Sequence, residues 1–165
     1  MSTIDVILSR RSIRRYDARP ISEESLSLIL EAGRNAPSAA NRQPWHFIVV
    51  RNQELKERLS KWRYTGFLKD AALVIVGCGQ RSFPVLERFR DIDVTIALEN
   101  MVIAAWSLGI GSCWIGGFNE GEVKELLNIP ADQKVVALLS LGYPAEQPLP
   151  RAKKSLKEII HYDKF

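Results

Sequence analysis

The chain has 165 residues, 46% of them hydrophobic and 25% charged, the proportions of one ordinary globular domain that buries about 70% of the surface its unfolded chain exposes. Its net charge of +4 conceals an asymmetry: residues 10–20 and 150–165 hold ten of the 23 Lys and Arg but three of the 19 Asp and Glu, which leaves 13 basic against 16 acidic residues elsewhere. Two compact basic clusters on a slightly acidic body suit a small anion better than a nucleic acid, whose binders more often spread basic residues along a face interleaved with aromatics; the pI near 9.2 is the sole support for a nucleic-acid binding module.

In chain order, Ser2 or Thr3 caps a short helix running to about Ser9, with Asp5 in its first turn. Ser22 caps a second helix in which Leu26, Ile29, Leu30 and Gly33 follow helical spacing, and Pro37 ends it. His46–Val50 and Leu73–Gly77 are short, apolar, β-branched runs that read as buried strands, with an amphipathic helix over Gln53–Trp62 between them. A long central helix opens near Asp91 and stops at Gly109 and Gly111. Asp93, Glu99 and Asn100 interrupt the apolar stretch Ile92–Ile110, which makes it a buried helix and not a membrane span. Asn119 with Glu122 caps a helix through Leu127 that Pro130 stops, and Val135–Leu141 is a last central strand. The irregular alternation favours an α+β arrangement in a single domain, residues 1–165. The tail from about 148 is basic and extended, yet apolar again at Leu156, Ile159 and Ile160, a pattern that suits docking on a partner subunit. No secretory leader pattern opens the chain, and Cys78 and Cys113 lack metal or disulfide spacing, so a cytoplasmic protein without metal is expected.

Four stretches carry chemistry. Arg10-Arg11-Ser12-Ile13-Arg14-Arg15-Tyr16 puts four guanidiniums and two hydroxyls in seven residues, and Arg151-Ala152-Lys153-Lys154-Ser155 forms a second cluster near the end. Arginine forks, serine hydroxyls and lysine point charges are the donors suited to a phosphate dianion. Ala36 to Trp45 sets Ser38, Asn41 and Gln43 among small residues between two prolines, a turn that a flat ligand can approach. Gly109 to Phe118 is glycine-rich, which permits unusual backbone conformations and close ligand approach. Neither Gly77-Cys78-Gly79 nor Gly109-Ile110-Gly111 completes a dinucleotide fingerprint, because Ser82 and Trp114 occupy the third glycine position. His46, between Trp45 and Phe47 on a strand, reads as structural, and His161 lies in the tail with no triad partner in the sequence.

In this order and spacing, Arg10-Arg11-Ser12-Ile13-Arg14, Pro37 through Phe47, Cys113 through Phe118 and Pro150 through Lys153 resemble the nitroreductase family of FMN-dependent oxidoreductases over nearly the whole chain. The resemblance implies an α+β fold, a mixed central sheet flanked by helices, in an intertwined homodimer with two flavin sites at the interface. It implies that Arg10, Arg11, Ser12 and Arg14 hold the FMN phosphate and polar side chain, completed by Arg151 and Lys153. Pro37, Ser38, Ala39, Asn41 and Gln43 resemble the loop that reaches FMN from the other subunit, and Ile115, Gly116 and Gly117 the backbone facing the isoalloxazine.

The chain also departs from the family pattern. Gln80–Arg90 is brief where larger members insert helices, which implies an open pocket tolerant of many acceptors. Lys61–Lys69 lacks the Asn that many members place at the flavin pyrimidine edge, and Gly116 stands where some carry an acid. The activity implied is electron transfer from NAD(P)H to a nitroaromatic, quinone or similar small acceptor by ping-pong kinetics. The alternatives are a non-redox FMN carrier, a dehalogenase or a flavin-fragmenting enzyme. No side chain stands out as a general acid, so no catalytic residue is assigned and protons are expected from solvent.

Overall fold

The computed structural model describes residues 2–80 and 84–165. Ser2 caps α1 (Thr3–Ser9): its hydroxyl accepts from the Asp5 amide at 3.2 Å, and the Asp5 carboxylate accepts from the Ser2 amide at 2.8 Å. Ser22 caps α2 (Glu23–Arg34), whose helix ends at Asn35, ahead of Pro37. The strands are β1 (Trp45–Val50), β2 (Leu73–Gln80), β3 (Gly111–Ile115) and β4 (Gln133–Gly142), separated by α3 (Gln53–Leu59), α4 (Pro84–Ser107) and α5 (Glu120–Leu127). A short α6 (Leu156–Ile159) lies in the tail.

The four strands form one sheet in the order β1-β2-β4-β3, antiparallel throughout. The parallel component of the sheet is the single bridge between Ser12 and Ser112 beside β3. Unlike many antiparallel sheets, this one is covered on both faces. Leu73 and Ile75 of β2 join Leu26, Ile29, Leu98 and Met101 of α2 and α4 in one core. Val74 and Val76, pointing the other way, join Leu59 of α3 and Val123 of α5 in a second. That is why β2 reads as an unbroken apolar run. Gly77 lets α4 lie close on the sheet, since a Cβ there would stand 2.6 Å from Leu98 Cδ1.

Three expectations are corrected by the fold. The central helix starts at Pro84, not near Asp91. Proline at a first helical position loses no hydrogen bond and arrives with its φ already set. The brief connection expected over Gln80–Arg90 includes residues 81–83, which lie outside the described residues, and from Pro84 onward it is helical. Helix α3 stops at Leu59, because Trp62–Thr65 forms its own turn, closed by the Thr65 hydroxyl accepting from the Trp62 amide and donating to the Trp62 carbonyl, both at 3.1 Å. Strand β3 was not anticipated within the glycine-rich stretch. Helix α5 follows its expected course, capped by Asn119, and ends on Asn128 in the left-handed region at φ 52°, ahead of Pro130. Among the described residues no helix is long and apolar enough to cross a membrane.

Candidate functional site

Residues 10–16 leave α1 and run beside β3. Ile13 is the anchor: its amide donates to the Ser112 carbonyl at 2.9 Å and its side chain is 1% exposed, packed on Gly111. With Ile13 turned inward, the extended backbone turns its neighbours Ser12 and Arg14 outward. Both are exposed. Tyr16 fastens the far end, its hydroxyl donating to the Ile13 carbonyl at 2.6 Å and lying 2.7 Å from the Ser140 hydroxyl. The tail returns here after β4, paired through the Ala145 amide to the Arg15 carbonyl at 2.9 Å.

A cleft of about 420 Å³ opens where these two segments meet. Arg10, Arg11, Ser12 and Arg14 line it from one end of the chain and Arg151 and Lys153 from the other, with Glu146 and Leu149 among the rest of its wall. Six of the fourteen anticipated residues are therefore together, and their donor set fits a phosphate dianion: arginine forks, an ammonium and a hydroxyl, with one carboxylate among them. They are not equivalent. Arg11 Nη1 donates to the carbonyls of Leu8, Ser9 and Arg10 at 3.1, 2.9 and 2.8 Å, a cation satisfying the end of α1. Arg10 Nε lies 4.0 Å from Glu99 of α4, whose other oxygen accepts from the Trp114 indole at 3.1 Å. The Arg14 guanidinium sits 6.0 Å from the centre of the Phe67 ring.

Ile115, Gly116 and Gly117 follow on the same β3 edge. Ile115 is buried in the second core, whereas a Cβ on Gly116 or Gly117 would meet nothing within 4 Å. Among the described residues Gly109 is the glycine with positive φ, at 74°, so the backbone freedom expected of this stretch is used at Gly109 and not beside Ile115. Gly116 and Gly117 contribute open space.

The loop 37–43 lies elsewhere. It precedes β1, on the opposite edge of the sheet, three interstrand steps or roughly 14 Å from β3. Ala40, Asn41 and Gln43 have φ of 52°, 54° and 50°, a conformation costing non-glycine residues about 1–2 kcal/mol each. The strain is held by Ser38, whose hydroxyl accepts from the Gln43 amide at 2.9 Å, and by the buried Asp93 of α4, which accepts from the Ala39 amide at 3.1 Å. Pro37, Asn41 and Gln43 are exposed, and Ser38 and Ala39 partly so. The chain does not bring this loop to its own cleft.

Sequence reasoning missed Asp93, Glu146 and Phe67. Asp93 was legible only as an interruption of an apolar helix, and nothing local marks Glu146 or Phe67.

The comparisons agree with one another. The model of the nitroreductase family matches residues 7–73 and 59–143. A protein of Methanothermobacter thermautotrophicus, provisionally named NADH dehydrogenase/NAD(P)H nitroreductase, is 39% identical over 154 residues, covering 90% of this chain and 80% of its own. The structure of an NADPH:FMN oxidoreductase from Vibrio harveyi complexed with NAD+ superposes with a TM-score of 0.93 at 28% identity, over 99% of this chain and 77% of that one. The structure of an FMN-dependent nitroreductase from Clostridium difficile gives a TM-score of 0.87 at 30% identity, over 98% and 99% of the two chains. On sequence, fold and motif order, the chain belongs to the nitroreductase family.

Proposed function

We propose that this protein is an FMN-dependent oxidoreductase that takes electrons from NAD(P)H and passes them to a small acceptor such as a nitroaromatic or quinone. The observation that carries the reading is the cleft, in which Arg10, Ser12, Arg14, Arg151 and Lys153 converge from opposite ends of the chain. Charge-assisted hydrogen bonds contribute roughly 1.5–3 kcal/mol each, so a few of them retain a phosphate through purification. Bound FMN supplies the hydride and electron chemistry that no side chain here provides. The residues of this chain bind its phosphate, leave room beside Gly116 and Gly117, and exclude water with the Ile115 core.

The functional unit in this reading is a cytoplasmic homodimer. Pro37, Ser38, Ala39, Asn41 and Gln43 of one subunit serve the cleft of the other, and the tail 148–165 docks on the partner. The separation of that loop from its own cleft across the sheet supports a site built from two chains. Donor and acceptor use the same open space in turn, which makes the kinetics ping-pong.

The test begins with the absorbance spectrum of the purified protein and mass spectrometry of the released chromophore. FMN is expected, and FAD or no flavin overturns the reading. Anaerobic bleaching by NADH or NADPH, then recovery of colour with nitroaromatics, quinones or halogenated phenols, establishes turnover and ranks acceptors. A yellow protein that neither nicotinamide bleaches is a carrier.

A further inference from the structure

A carboxylate stands in the cleft that is otherwise built for an anion. Glu146 lines it beside Arg14, and its Oε1 accepts from two consecutive backbone amides, Arg14 at 2.6 Å and Arg15 at 3.1 Å. Successive amides turned toward one oxygen form an anion-binding concavity, here filled by the chain's own side chain. The same short segment is fastened on its other side, where the Ile13 amide meets the Ser112 carbonyl at 2.9 Å, and further along, where the Asp17 amide meets the Tyr143 carbonyl at 2.9 Å. Residues 12–16 are thus gripped from β3 on one flank and from the 143–146 segment on the other.

A negative charge in this position repels a phosphate, so its local effect on binding is unfavourable unless it serves the geometry. The grip supplies that geometry. With both amides held, Ser12 and Arg14 face the cleft before any ligand arrives, and the ordering cost of binding falls. We infer that Glu146 is a positioning residue for phosphate recognition, acting through the Arg14 and Arg15 amides. The inference rests on the FMN reading proposed above and deepens it.

Reach and charge are separable by substitution. Glu146→Gln keeps an acceptor oxygen at the same distance and removes the charge. Glu146→Asp keeps the charge and shortens the arm by one methylene, so it cannot span both amides. Dissociation constants for FMN and for riboflavin, measured on apoprotein by quenching of flavin fluorescence, read the result, with circular dichroism as the check on folding. Glu146→Asp is expected to weaken FMN about tenfold, the loss of one charge-assisted hydrogen bond, and Glu146→Gln to stay within about threefold of the unaltered protein. Riboflavin, which lacks the phosphate, should bind all three alike.

The inference is overturned if neither variant changes FMN binding, if Glu146→Gln is the weaker, if Glu146→Asp binds more tightly, or if riboflavin affinity falls in parallel; a tighter Glu146→Gln beside a weaker Glu146→Asp supports it, because the repelling charge is gone and the grip is kept. Should Glu146→Asp fail to fold, Glu146→Ala, which removes the acceptor altogether, takes its place: FMN binding about tenfold weaker there beside a near-normal Glu146→Gln supports the inference, and unchanged FMN binding in Glu146→Ala ends it. Failure of the unaltered protein to bind FMN at all would instead remove the functional reading on which this one stands.

Discussion

At the scale of single residues, the cleft depends on an alternation around Ile13. One buried isoleucine fixes which side its neighbours take, and Ser12 and Arg14 are exposed and line the cleft as a consequence. Arg14 and Lys153 are expected to share one phosphate. Arg14→Ala and Lys153→Ala should each weaken FMN by about 1.5–3 kcal/mol and show coupling in a double-mutant cycle. Fluorescence titration with FMN and riboflavin checks this, and additive losses that strike riboflavin equally would contradict it. The two cysteines make a different kind of residue, inert by environment. Burial pushes the Cys78 thiol up from 9.0 to about 11 and raises that of Cys113 as well. Both should react slowly with Ellman's reagent at about pH 8 and rapidly once denaturant unfolds the chain. The sign of the linked stability follows: a folded pKa above the unfolded one favours folding fully below the unfolded value, and that contribution disappears as pH rises through about 11. A Cys78→Ser variant should therefore lose part of the alkaline fall in stability, as thermal melts between about pH 8 and 11 would record.

At the scale of elements, α4 is the piece to which the parts of the site are tied. Asp93 takes the Ala39 amide of the strained loop, Glu99 takes the Trp114 indole of β3 and approaches Arg10, and the Trp106 indole donates to the Ser9 hydroxyl at the end of α1. Asp93→Ala strands a partly buried amide and releases a loop already paying for three left-handed residues. The expected loss is about 1–3 kcal/mol of stability, with faster hydrogen exchange at Ala39. Unchanged exchange there would show that the loop holds itself. These ties explain which elements the sequence disclosed. Caps at Ser2, Ser22 and Asn119 were readable because their hydrogen bonds span three residues, and β2 because an apolar run buried on both faces leaves a local trace. Strand β3 was hidden by its glycine neighbours and five-residue length, and the start of α4 by a proline whose helical role depends on position. The grouping of Arg14 with Lys153 came from family resemblance. Glu146 and Asp93 act through contacts between segments distant in sequence, which no periodicity announces.

At the scale of the whole molecule, the chain leaves both its loop and its tail without an obvious occupant within itself. Leu156, Ile159, Tyr162 and Phe165 are exposed, as are Ile4 and Leu8 of α1, and in the proposed homodimer the tail side chains would be covered by the partner. In the proposed homodimer each flavin site takes Arg14 from one subunit and Asn41 from the other, which yields a complementation test. An Arg14→Glu homodimer has both sites damaged at the phosphate, by repulsion as well as by lost contacts. An Asn41→Trp homodimer has both sites blocked by bulk beside the ligand. In a mixed dimer of the two variants, one site receives both lesions and the other receives neither, as the two-fold symmetry of such an interface requires. Coexpression with different tags and isolation of the heterodimer should then restore about one FMN per dimer, measured by absorbance against protein concentration. If Arg14 and Asn41 served the same site from one chain, every site of the heterodimer would carry one lesion. A colourless heterodimer with an intact fold by circular dichroism would therefore refute the two-chain site, while one FMN per heterodimer, where both variant homodimers bind none, requires Arg14 and Asn41 of one site to come from different chains.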